Sequence, residues 1–179
     1  MKIGLVRHFK VKKGYPENTW VTQKELIKWL EEYDVADIEE GEVDLKGVAW
    51  KRCFASDLPR AEKTARKIYD GKIIKKKELR EISVYPFIKR DMKLPFFMWA
   101  VLARVAWLFN HKSQLEGITD VKRRVKVVLD EILSQSQEDV LIVSHGVVMM
   151  FLRKELLKRG FKGPKLGTPK NGKLYVFEK

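Results

Sequence analysis

Two histidines stand at the ends of apolar runs: His8 follows Leu5-Val6-Arg7, and His145 follows Val143-Ser144. Between them lies Ser56-Asp57-Leu58-Pro59-Arg60-Ala61. An imidazole that is unprotonated near neutral pH is a nucleophile, and a protonated one is a donor. A guanidinium is a planar fork that matches phosphate oxygens in pairs. Arg7 and Arg60 beside His8 and His145 thus describe a cationic pocket with a nucleophile inside it, and a phosphate is the economical ligand.

That reading needs both histidines in one place. Open α/β sheets present their chemistry just past the carboxyl ends of strands, and both histidines follow strand-like runs. Lys2 to Val6, Arg52 to Ala55 and Asp139 to Val143 read as buried strands, Lys72 to Lys77 as a short strand, and Lys173 to Glu178 as a closing one. Helices are expected from Thr22, from Asp57, from about Pro95 to Phe109, from Asp120 to Leu133 and from Val147 to Lys158. Thr22 is placed to cap the first, with Glu25 completing a capping box and Val21 stapling onto Leu26. Asp57 reads as a cap or first-turn acid of the second. Strands alternating with helices indicate an α/β sandwich with a largely parallel sheet. No repeat or low-complexity linker divides the 179 residues, so one domain over 1–179 is expected.

Other chemistry is weaker. Ser144 lacks a Gly-x-Ser-x-Gly elbow and reads as a local hydrogen-bonding or pocket-edge group. His111 follows a helix end, a surface or capping position. Three histidines without close pairing give no metal site, and no cofactor is expected. Gly167-Thr168-Pro169-Lys170-Asn171-Gly172-Lys173 imitates a phosphate-binding loop, but Leu174 stands where Ser or Thr is needed, and a strand follows where a helix must open. Asn171-Gly172 reads instead as a turn. The lone Cys53 forms no internal disulfide, suits a reducing cytoplasmic setting, and reads as a buried structural thiol.

Charge adds a second theme. The chain holds 37 basic against 24 acidic residues, a net charge of +13, with eight basic residues and one acid between Arg153 and Lys173. Such a field attracts small anions, nucleic acid or an acidic membrane surface. Met1 leads directly into a strand-like segment rather than a leader. The longest apolar run, Leu94 to Phe109, is interrupted by Arg104 and too short to span a bilayer.

Arg7-His8, Ser56-Asp57-Leu58-x-Arg60-Ala61-x-x-Thr64-Ala65, Leu79-Arg80-Glu81-Ile82 and Ser144-His145-Gly146 occur in the order seen in the histidine phosphatase superfamily, which includes phosphoglycerate-mutase-like enzymes. The chain resembles that family from residue 5 to about 150. The resemblance implies a three-layer α/β/α sandwich, a phosphohistidine nucleophile at His8, phosphate held by Arg7, Arg60 and His145, and a general acid at Glu81. Glu78, three residues before, is the rival acid, but Leu79-Arg80-Glu81 matches the pattern. His145 is counted with His8 and Glu81 among the catalytic residues.

Departures fall beside the nucleophile and after the acid. The glycine, threonine and asparagine common after Arg-His are replaced by Phe9, Lys10, Val11, Lys12 and Lys13. Phe9, Lys10 and Lys12 are expected at the substrate rim, the lysines as point charges. Residues 84–112 read as a variable apolar cover. Its helix is apolar all round and must be buried, paired or membrane-facing; core or a cover over the site is preferred, with a dimer or membrane contact as the third reading. The expected activity is metal-independent phosphatase action on a phosphorylated small molecule. The alternatives are a mutase-type phosphotransferase and a basic module that binds nucleic acid or acidic lipid with little catalysis. A homodimer also fits.

Overall fold

The computed structural model describes residues 1–83, 85–86, 92–135 and 137–179. Val84 and residues 87–91, part of the expected cover, lie outside the described residues. In chain order the strands are β1 (Lys2–Arg7), β2 (Trp20–Val21), β3 (Arg52–Ser56), β4 (Ile73–Lys76), β5 (Leu94–Pro95), β6 (Val140–Ser144) and β7 (Leu174–Glu178). The helices are α1 (Gln23–Val35), α2 (Pro59–Ile68), α3 (Phe96–Leu108), α4 (Ile118–Gln135) and α5 (Gly146–Lys158).

Five strands form one sheet in the order β4-β3-β6-β1-β7, and only β7 runs antiparallel to its neighbour. All five residues of β6 are buried, as a central strand covered on both faces requires. Successive side chains alternate between two cores. Ile3, Leu5, Phe54 and Ile142 meet α4 and α5 through Val125, Leu129, Met149 and Leu152. Val6, Cys53, Ala55, Leu141 and Val143 meet α2 through Ala61 and Ala65 on the other face. This is the three-layer sandwich. Cys53 lies in the second core, where burial pushes its thiol up to about 12.

Helix α1 starts as its sequence dictates: Thr22 accepts from the Glu25 amide while Glu25 closes the box onto the Thr22 amide, and Val21 and Leu26 share a small core with Trp99. Helix α2 starts later than expected. Pro59 occupies its first turn, and Leu58 precedes it without a side-chain cap. Asp57 is no cap; both its oxygens take the Arg80 guanidinium, each at 2.6 Å, because a bidentate ion pair outcompetes a single capping bond. The β2–β5 pair, Trp20 against Pro95 and Val21 against Leu94, has no signal in so short a run.

Helix α3, expected in the core or as a cover over the site, buries one face and exposes the other. Trp99, Ala103, Ala106 and Trp107 are buried, whereas Phe97, Val101, Val105 and Leu108 are exposed. Trp107 stands edge-on to Phe151 of α5, and the Trp99 indole donates to the Val21 carbonyl.

Candidate active site

Strands β1, β3 and β6 run parallel side by side, so their carboxyl ends meet at one edge. Register pairs Arg7 with Ser144, and His8 and His145 follow directly, their ring centroids 5.0 Å apart. Helix α2 leaves β3 on one face and α5 leaves β6 on the other, the arrangement at whose strand ends open α/β sheets hold ligands.

The nucleophile candidate is fixed by its own backbone. The His8 amide donates to the Ser144 carbonyl at 3.0 Å, and its carbonyl accepts from the Asn171 side chain at 2.7 Å. His8 Nδ1 lies 2.6 Å from the Phe9 carbonyl oxygen. A carbonyl only accepts, so Nδ1 carries the proton, and in the neutral ring Nε2 keeps a lone pair. Burial, with the nearby Arg60 and Arg7 charges, holds the ring neutral, its pKa lowered to about 3 against the opposing pull of the Phe9 carbonyl.

His145 is fully buried and held well below its usual range, first by burial and then by His8, Arg60 and Arg7. Its Nε2 pairs with Ser56 Oγ at 2.9 Å, and its Nδ1 has no partner. Ser56 also accepts from the Leu58 amide, so one hydroxyl shapes the β3–α2 turn and orients the second imidazole. Ser144 donates to the Leu79 carbonyl, a local role.

The arginines are built in from opposite sides. Arg7 Nη1 donates to the Pro169 carbonyl at 2.8 Å, and a Cβ on Gly146 would lie 3.4 Å from Arg7 Cζ. The glycine after His145 thus lets α5 begin against the guanidinium. Arg60 is buried, donates to Asp34 at 2.8 Å, and lies over the Tyr33 ring at 5.3 Å. Arg7 Nε and Arg60 Nε have no hydrogen-bond partner. Three buried nitrogens without partners, Arg7 Nε, Arg60 Nε and His145 Nδ1, thus belong to the residues whose charge acts on His8 or whose ring stands beside it. Buried polar groups are ordinarily satisfied, and a tetrahedral oxyanion would satisfy these.

Glu81 reaches the same corner. Its Oε2 accepts from the Val147 amide in the first turn of α5, two residues after His145, and its Oε1 from the Ile82 amide. Two ties hold its segment. Arg80 grips Asp57 beside α2, and Arg124 of α4 donates to the carbonyls of Glu78 and Arg80.

Phe9 does not form an open rim. It is buried, and its ring fills the space a Cβ would need at Gly41 and at Gly172, the latter at φ +64°. Its own φ is not positive, so the position does not require glycine's freedom. Lys10 and Lys12 are exposed and paired with Glu39 and Asp37. Both acids lie in the segment after α1. The Phe9 amide donates to Thr64 Oγ1, which ties the loop after His8 to α2.

Asn171 and Pro169 were missed by the sequence reading, which saw only a turn there. Tyr33 and Asp34 against Arg60 were missed as well. His111 is exposed at the α3 end, its Nδ1 2.9 Å from Ser113 Oγ. Among the described residues no three His, Cys, Asp or Glu side chains gather as a metal-binding group.

Solved structures with this fold include a protein from Escherichia coli described as an alpha-ribazole-5'-P phosphatase, at 18% identity and TM-score 0.62 over 98% of this chain and 89% of that one. A mycobacterial glucosyl-3-phosphoglycerate phosphatase in complex with VO3 follows at 18% identity and TM-score 0.59, covering 99% and 94%. A phosphoglycerate mutase from Bacillus anthracis matches at 19% identity and TM-score 0.57, covering 99% and 88%. At these identities the likeness is one of fold. A search of curated protein sequences found no match. The sequence model of the histidine phosphatase superfamily, branch 1, matches residues 29–178, beginning after Arg7-His8. With that match over most of its length, the chain belongs to the histidine phosphatase superfamily.

Proposed function

We propose that this protein is a phosphatase that hydrolyses a phosphomonoester through a phosphohistidine on His8, without a metal ion. The observation that carries the reading is an imidazole held neutral at His8 together with buried, unpartnered nitrogens on Arg7, Arg60 and His145. Phosphoryl transfer is chiefly positioning and stabilisation of spread charge, and these groups supply both.

The chemistry runs in two displacements. His8 Nε2 attacks phosphorus, the bond to the leaving oxygen breaks, and Glu81 gives that oxygen a proton. Water then attacks the phosphohistidine, passes a proton to Glu81, and the phosphorus–nitrogen bond breaks to release phosphate. Arg7, Arg60 and His145 hold the equatorial oxygens through both steps. Burial first and positive charge second keep His145 neutral; a dianion entering the site offsets the second, so His145 gains basicity where a donor is needed.

The test is phosphate release from a panel of phosphomonoesters in the presence of a chelator, comparing the wild type with His8→Ala. The related folds name small phosphate esters, so the panel begins with sugar phosphates and phosphoglycerates. It extends to nucleotides and phosphopeptides. Release by the wild type alone, with phosphate trapped on His8 after rapid quenching, is the expected result. No release by either protein across the panel would overturn the phosphatase reading and favour a basic binding module.

A further inference from the structure

Helix α3 turns two unlike faces to its surroundings. Phe97, Val101, Val105 and Leu108 recur at helical spacing on the outer one, Phe97 at 67% exposure and Leu108 at 54%, and Phe109 extends the row past the helix end at 81%. Arg104 lies seven residues after Phe97 and four before Leu108, on the same face, its guanidinium exposed and donating to the Ala100 carbonyl. Trp20, exposed as well, pairs through β2 with Pro95 immediately before the helix. A contiguous apolar row of this kind marks an interaction site.

Charge selects what meets it. Residues 92–115 contain Lys93, Arg104, His111 and Lys112 and not one Asp or Glu, within a chain of net charge +13. A second copy related by a two-fold axis would set this patch against itself, Arg104 against the same cationic segment, with no acid among residues 92–115 to pair with it. An anionic lipid surface accepts both components: acyl chains and headgroup boundary for the apolar row, lipid phosphates for the cations. Crossing the bilayer is not at issue, since no helix among the described residues is long and apolar enough to do so.

We propose that α3 is an interfacial helix that docks this protein on an anionic lipid surface, with Phe97, Val101, Val105, Leu108 and Phe109 entering the headgroup boundary and Arg104 reaching lipid phosphates. The proposal stands apart from the phosphatase chemistry and does not depend on it.

The test is co-sedimentation of the full chain with vesicles of phosphatidylcholine alone and of phosphatidylcholine with about a third phosphatidylserine. The wild type is expected to partition at least ~10-fold more strongly to the anionic vesicles, since each basic residue near the surface adds about 5-fold. Val101→Asp/Leu108→Asp, at two exposed positions, is expected to lose that binding at least ~10-fold while its circular dichroism and melting stay as in the wild type. Arg104→Glu is expected to lose ~5-fold or more. Three results overturn the proposal: no wild-type sedimentation with anionic vesicles, binding unchanged in both variants, or a wild-type dimer that Val101→Asp/Leu108→Asp splits, which would make a second copy the occupant.

Discussion

The carboxyl edge of the sheet buries polar groups, whereas α3 exposes apolar ones. At the edge, Arg60, His8, Ser56 and His145 are buried, and Arg7 Nε, Arg60 Nε and His145 Nδ1 lack partners. On α3 the inner face packs on Trp99 and Trp107 while Phe97, Val101 and Leu108 meet solvent. Each region breaks the ordinary partition of polar and apolar groups, in opposite directions, and such exceptions are the informative ones. The proposed ligands, an oxyanion in one place and an anionic lipid surface in the other, answer these exceptions. The two regions differ in how firmly the fold holds them. The backbone of Arg7 and His8 is bonded to Ser144, Asn171 and Gly172, while α3 is tied chiefly by side chains, Trp99, Trp107 and Phe96, the last against Tyr15 and Trp29.

The largest effect expected tests that contrast within α3 itself. Trp99→Ala removes a fully buried ring and its bond to Val21, and should cost about 3–5 kcal/mol in chemical denaturation. Phe97→Ala, two residues away, should change stability by no more than about 0.5 kcal/mol. Equal costs would mean the outer face packs on protein, and the comparison would collapse. At the sheet edge, Arg60→Ala should lower kcat/KM for phosphate release ~100- to 1000-fold, as loss of a donor to developing charge does, with the melting temperature nearly kept. A large fall in stability without a kinetic defect would make Arg60 a structural residue.

The sheet edge was legible because its instructions are local. Apolar runs ending on Arg7-His8 and Ser144-His145 are strands whose next residue must sit at the edge, and a capping box at Thr22 and Glu25 needs no tertiary knowledge. What escaped was supplied from far along the chain. Phe9 is buried because glycines at 41 and 172 leave room for it, and nothing around Phe9 in sequence announces either. Asp57 looked like a cap until Arg80, 23 residues on, offered a stronger bond. Helix α3 hid its orientation for a different reason: a segment apolar on every side has no period to reveal its inner face.

A smaller effect separates the regions by pH. His8 titrates at about 3 in the folded protein against an ordinary 6.5, so below 6.5 the unfolded chain binds a proton that the native chain excludes. Stability should therefore fall as pH drops through the window from 6.5 to 3 and be fully present above it. The His8 share is about 2 kcal/mol between pH 7 and pH 5. His8→Asn should flatten part of that slope, whereas Phe97→Ala should leave it unchanged. A slope identical in His8→Asn and the wild type would show that the ring is not held neutral.

The smallest effect concerns the clamp on the nucleophile. Asn171 Nδ2 donates to the His8 carbonyl, and its neighbours act on Arg7: the Pro169 carbonyl accepts from the guanidinium, and the Gly172 amide donates to the Arg7 carbonyl. One turn before β7 thus grips both members of the Arg-His pair, joining residues 163 positions apart. Asn171→Ala removes one hydrogen bond, worth about 1 kcal/mol, and leaves the two backbone contacts. If the clamp only stabilises the fold, melting shifts by that amount and kcat stays unchanged. If it also aims His8 Nε2, kcat falls ~5-fold with KM little altered, since misplacement of a nucleophile weakens the transition state more than binding. Asn171→Asp discriminates further. It keeps the size and loses the donor, so it should behave like alanine where aim matters and worse than alanine in melting, because its carboxylate would face the His8 carbonyl oxygen.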